Sequence, residues 1–223
     1  MPTEEEWEEK FVQAKKLMVS RLEIKKVLIE VAAQHPLIDE TKPGVEFTAR
    51  LLKGEELFHE NLQEGMEVEI YVPGSLHMWE GIVDKIPLSE AGVRFLEERG
   101  LPREALHGED LNQRYKGNTP LPGVYNSADE CFVAANYFRD RNFGRLCSVV
   151  SPNQLNRKTL HYIWFGIIPL FYTATTQINF HDPVFENFHL VPYVLNVDPD
   201  WQSIDSYQGN LQRQKKDPRF LKV

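Results

Sequence analysis

Cysteine is scarce: Cys131 and Cys147 are the two in 223 residues. They cannot build a disulfide framework or a four-thiolate zinc site, so the expected setting is the cytoplasm or another reducing intracellular compartment. No Asn-x-Ser/Thr sequon occurs. No apolar run reaches the ~18 residues of a membrane span, and the acidic start lacks the basic flank and apolar core of a secretion signal. A soluble protein with no membrane span is expected. Also missing are a Gly-rich phosphate loop, a Gly-x-Ser-x-Gly elbow, a His-Glu-x-x-His helix and an EF-hand loop, which excludes the enzyme classes that short motifs reveal. There is no internal repeat and no low-complexity tract.

Negative charge is absent from Arg141 to His181, although the whole chain carries a net charge of −8. Residues 1–110 hold 24 acids and 13 bases, and residues 111–223 hold 9 acids and 12 bases. Arg139, Arg141, Arg145, Arg157 and Lys158 gather in or beside the acid-free stretch. Of them, Arg141, Arg145, Arg157 and Lys158 are candidate ligand-binding residues for an anionic group. Because the chain is acidic overall, nucleic acid is not the expected partner. The bland alternative is that the acidic half neutralises the basic one. A hydrophobic fraction of 42%, with 4 Trp, 8 Tyr and 13 Phe, excludes wholesale disorder, since burial of this much apolar surface offsets the ordering entropy.

Apolar residues from Trp7 to Val31 recur every three to four positions between charges, which predicts one long helix over 4–34, capped by Thr3 with Glu6. A loop from Pro36 to Gly44 leads into a β-like region. There Val68, Ile70 and Val72 alternate with polar neighbours, Pro73-Gly74 turns, and Met78 to Ile86 returns, a spacing like that of small SH3-like barrels. Ser89 to Gly100 predicts a short helix, with Pro102 opening another, and 128–140 a further one. Leu146–Val150 reads as a strand, Leu160–Ile168 as a central strand, and 170–180 as a strand that turns at His181-Asp182-Pro183 and returns over 184–197. The fold class is therefore expected to be α+β: a long N-terminal helix, a β-hairpin or SH3-like region, then a helix and an antiparallel β-meander. The expected organisation is an acidic lobe over 1–106, a linker over 107–124 and an aromatic-rich sheet lobe over 125–223, with one domain overall as the alternative.

Three groups can carry chemistry. His181, Asp182 and His189, with Glu186, offer imidazoles and carboxylates to a divalent metal or to catalysis, although the spacing also suits an ordinary turn. Cys131 and His161 offer a thiol and an imidazole, with Cys131 near a helix start whose dipole lowers a thiol pKa; a core role is the competing reading. Thr175 and Gln177 belong to a polar row able to hydrogen-bond a ligand, or simply to face solvent. The lack of a catalytic motif points to a non-catalytic interaction or structural subunit, partnered by another protein or by a second copy, with no cofactor. The alternative is a small-molecule or metal-dependent enzyme with its site at the mouth of the C-terminal sheet, so the sequence leaves enzymatic activity undecided.

Overall fold

Thr3 caps the first helix, α1 (Glu4–Ser20): its hydroxyl accepts from the Glu6 N–H at 3.2 Å, and the Glu6 carboxylate accepts from the Thr3 N–H at 2.6 Å. In the computed structural model, which describes residues 3–34, 37–75, 78–79, 82–109, 124 and 127–174, this helix ends well short of residue 34. After a turn the chain enters strand β1 (Lys26–Val31), so the expected single helix is two elements. Val27, Leu28, Ile29 and Val31 are all fully buried. A segment apolar at nearly every position satisfies helical spacing by default, but burial on both faces is what a central parallel strand requires.

The remaining α-helices and strands of the described residues are α2 (Val45–Gln63), β2 (Glu67–Pro73), β3 (Met78–Trp79), β4 (Ile82–Val83), α3 (Leu88–Glu98), β5 (Leu106–Glu109), α4 (Ser127–Asp140), β6 (Arg145–Val150), α5 (Leu155–Trp164) and β7 (Leu170–Thr173), with short 3-10 turns at Arg103–Ala105 and Pro152–Gln154. Among the described residues, five strands form one sheet in the order β5-β2-β1-β6-β7, and every pairing in it is parallel. The class is α/β, and the expected antiparallel meander is overturned. Two misreadings produced it. Residues 160–164 of that expected strand lie in α5, which packs against both α4 and α1 and so resembles a strand covered on both faces. The helix α2 lies where a β-like region was expected to begin. The SH3-like hairpin also fails, because β2 pairs with β1 and β5, while β3 and β4, among the described residues, pair with each other.

Helices cover both faces, as parallel crossovers demand. On one face Val27, Ile29, Val31, Val68, Ile70 and Val72 pack with Phe47, Leu51 and Leu57 of α2 and Leu88, Ala91 and Leu96 of α3. On the other, Leu28, Tyr71 and Leu146 pack with Cys131, Ala134 and Phe138 of α4 and Tyr162 of α5. α1 lies outside α5, with the Trp7 and Trp164 rings edge-on at 5.4 Å. β1 and β2 from the N-terminal half share this sheet with β6 and β7 from the C-terminal half.

Candidate functional site

In a doubly wound sheet, chain connections diverge where the strand order reverses, and a crevice opens at the carboxyl ends of the two strands there. Here that point lies between β1 and β6. Alternation along β1 sends Val27, Ile29 and Val31 to the α2 side and leaves Glu30 with Leu28 on the α4/α5 side. Register places Ser148 of β6 opposite Glu30, and the Ser148 hydroxyl donates to Glu30 Oε2. Lys158, from α5, donates to Glu30 Oε1 at 2.5 Å and lies 2.9 Å from Glu130 Oε2 of α4. Glu130 Oε1 accepts from the Ala33 N–H at 3.1 Å, at the exit of β1. Four elements are thereby tied together by one ammonium between two carboxylates, all three side chains buried.

Burial dominates the electrostatics. It raises the Glu130 carboxyl above its ordinary pKa, with the Glu30 charge adding and Lys158 opposing. Burial pulls the Lys158 ammonium down, but Glu130 and Glu30 together outweigh it and hold Lys158 above its usual value. A proton-retentive carboxyl beside a committed cation is an arrangement suited to passing a proton.

A second polar knot adjoins the first. Arg50 of α2 is buried, and its guanidinium donates to the Ala32 and Ala33 carbonyls at 2.9 and 3.2 Å, to the Ser151 hydroxyl at 2.6 and 3.1 Å, and to the Gln34 amide oxygen. Burial lowers its pKa to about 10, against the pull of Glu130, Glu46 and Glu30.

The sequence candidates divide unevenly among these places. Of the expected anion-binding residues, Lys158 is in the network but committed to two carboxylates, and Arg157, its buried neighbour, is on the same helix. Arg141 and Arg145 lie at the opposite, amino end of β6, where Arg141 covers the Tyr137 ring and Arg145 donates to Asn61 at 3.2 Å. A gathering close in sequence is thus split between the two ends of one strand. Cys131 sits 4.0 Å from the Lys158 carbonyl oxygen. Burial pushes its thiol well above the ordinary value, which outweighs the lowering expected from a helix start. His161 is buried and held down to about 3 by burial with Arg157 and Lys158 nearby, so it stays neutral. Both shifts oppose a thiolate–imidazolium pair. Thr175, Gln177, His181, Asp182, Glu186 and His189 lie outside the described residues. Among the described residues, no three His, Cys, Asp or Glu side chains are grouped to hold a metal ion.

Sequence reasoning missed Glu30, Arg50, Glu130 and Ser148 as site residues. One signal was legible: Glu30 interrupts the run Val27-Leu-Ile-Glu-Val-Ala-Ala33, and a charge inside a fully buried strand must have a partner. The cysteines supply a direct check. Both are free and buried, with Cys147 raised to about 11 chiefly by burial. Neither is expected to react with an aromatic disulfide reagent in the native protein, and both should react once urea unfolds it. Rapid native labelling of Cys131 would restore it as a candidate nucleophile.

The fold and site together define a doubly wound α/β protein with a buried charged network at its switch point. No protein family, curated protein or solved structure matches this chain.

Proposed function

We propose that this protein is an enzyme that binds a small molecule at the carboxyl ends of β1 and β6 and uses the Glu130–Lys158–Glu30 network to move a proton on it. One observation carries the reading: the buried Glu30–Lys158–Glu130 triad with Ser148 stands at the switch point, where doubly wound sheets bind their ligands. Stability is a poor reason for it, because well-packed apolar residues stabilise a core as well as a buried ion pair does or better. A carboxyl whose pKa is raised by burial, held beside a cation, is a common mark of acid–base chemistry.

The test is a thermal-shift screen of the full chain against nucleotides, sugars, amines and carboxylic acids, repeated on Glu130→Gln, which keeps the side-chain shape and removes the ionisable proton. A compound that raises Tm of the native chain and is turned over only when Glu130 is present supports the reading. No stabilising compound, or turnover unaffected by Glu130→Gln, overturns it.

A second reading, a structural subunit, draws on the outer side of α1, where Phe11 and Val19 are 47% and 59% exposed. A self-associated native chain that Phe11→Glu returns to monomer in light scattering would favour it. A monomeric native chain would count against self-association as the explanation of that stripe.

A further inference from the structure

The Arg50 guanidinium is buried, yet among the described residues every group it donates to is a neutral oxygen: two backbone carbonyls, one hydroxyl and one amide. Glu130, Glu46 and Glu30 pull on its charge electrostatically. A buried cation ordinarily has a carboxylate in contact, because partial dipoles compensate its lost hydration incompletely. Its position is also informative. The groups it binds are the residues that leave β1, Ala32 to Gln34, and the residue that leaves β6, Ser151, so it bridges the carboxyl ends of the two strands at the switch point. Of the four residues it binds, Gln34 alone is not buried. The Gln34 amide oxygen marks where an oxyanion oxygen would sit, and its side chain has solvent to swing into.

We infer that Arg50 is an anion receptor at the switch point, and that the ligand carries an oxyanion, a phosphate monoester or a carboxylate, which displaces the Gln34 side chain and pairs with the guanidinium. The inference rests on the small-molecule reading above and narrows it to anionic ligands. Displacing Gln34 frees one Nη2 N–H for an oxygen of either group, and the Ser151 hydroxyl, which accepts two of the guanidinium's bonds, can turn its own proton toward a second oxygen, a pairing that a chloride ion cannot make. Anchoring on Arg50 would set the remainder of the ligand at the same strand ends as Glu130 and Lys158, since the Ala33 backbone touches both Arg50 and Glu130.

Two substitutions at Gln34 separate this role from a purely structural clamp without removing the buried cation. Gln34→Glu supplies the missing carboxylate, so the chain without added anion should be as stable as the native one or more so, while inorganic phosphate should bind at least about tenfold more weakly through like-charge repulsion. Gln34→Ala leaves the receptor open, and phosphate should bind as tightly as to the native chain or more tightly. The readout is the phosphate dependence of Tm at constant ionic strength, with sodium chloride as the control and acetate and methylphosphonate as the arms that distinguish carboxylate from phosphoryl ligands. Saturable stabilisation of the native chain, kept by Gln34→Ala and lost by Gln34→Glu, is the expected result. Equal behaviour of the two variants, or no stabilisation by any oxyanion beyond chloride, overturns the inference. If oxyanions fail but a neutral or cationic compound stabilises the native chain and is turned over only with Glu130 in place, the receptor falls and the small-molecule reading survives. If nothing stabilises it, both fall.

Discussion

Lys158→Met is expected to lower the unfolding free energy by about 3–5 kcal/mol, the typical consequence of removing one partner from a buried ionic group. The side chain that replaces the lysine is similar in length, so little of this loss comes from a cavity. It comes from Glu30 and Glu130, left facing one another without the ammonium that now lies 2.5 Å and 2.9 Å from them. The sign of the pH dependence follows. A carboxyl whose folded pKa is raised stabilises the fold below its unfolded pKa and loses that contribution as pH rises through the folded value. Burial already raises Glu130 in the native protein, and removing Lys158 takes away the largest opposing influence. Lys158 itself is held above 10.5, so its charge is complete throughout the acidic and neutral range. The stability gap between the native chain and Lys158→Met should therefore be widest at neutral pH and narrow as pH falls toward 4.5, the ordinary carboxyl value. Urea titrations at several pH values measure it. A gap that is constant with pH would mean that the carboxylates are not the cause. Adding Glu130→Gln to Lys158→Met should recover part of the loss at neutral pH, because one unpaired charge disappears.

Gly144→Ala is expected to cost about 3 kcal/mol or more, at the upper end of overpacking effects. Gly144 sits at the entrance to β6 and donates its N–H to the Lys26 carbonyl at 2.8 Å, which aligns the start of β6 with that of β1. A Cβ there would run into the Ile24 carbonyl oxygen and lie 2.8 Å from that of Arg21. These are backbone atoms of the turn joining α1 to β1, so no rotamer change relieves the collision and a strand must shift. Gly100→Ala provides the contrast: open space surrounds its side-chain position, but its φ of 95° is one that alanine adopts with strain. Its loss should be smaller and purely local, about 1 kcal/mol. Thermal unfolding of the two variants checks both values. A Gly144→Ala chain as stable as the native one would refute the close approach between the two strand entrances.

The parts legible in the sequence were those with strong local signals. α1 announces its start through the Thr3 and Glu6 pair, α3 ends at a glycine with positive φ, and α4 and β6 lie close to where their periodicity put them. β1 and α5 were exchanged for the wrong element because both are apolar in more than one direction. Periodicity separates helix from strand only when one side is polar, and these two segments are covered on more than one side by the sheet or by neighbouring helices. The functional residues suffered from a different limit. Glu30, Arg50, Glu130, Ser148 and Lys158 come from five separate elements, and nothing in their spacing relates them.

What the sequence determined by itself is therefore the local chemistry: where several helices begin and end, and that the chain has enough apolar surface to fold. What only the tertiary structure decided is pairing. Parallel strands are joined through long crossovers, so no hairpin turn records which strand lies beside which. The placement of β1 between β2 and β6 brings Glu30 beside Ser148 and opens a switch point next to them. The packing of α4 and α5 over that face then turns Lys158 from one member of a basic run into the buried partner of two carboxylates. A charge in sequence carries only its sign, whereas its surroundings fix its pKa, its partner and the work it can do.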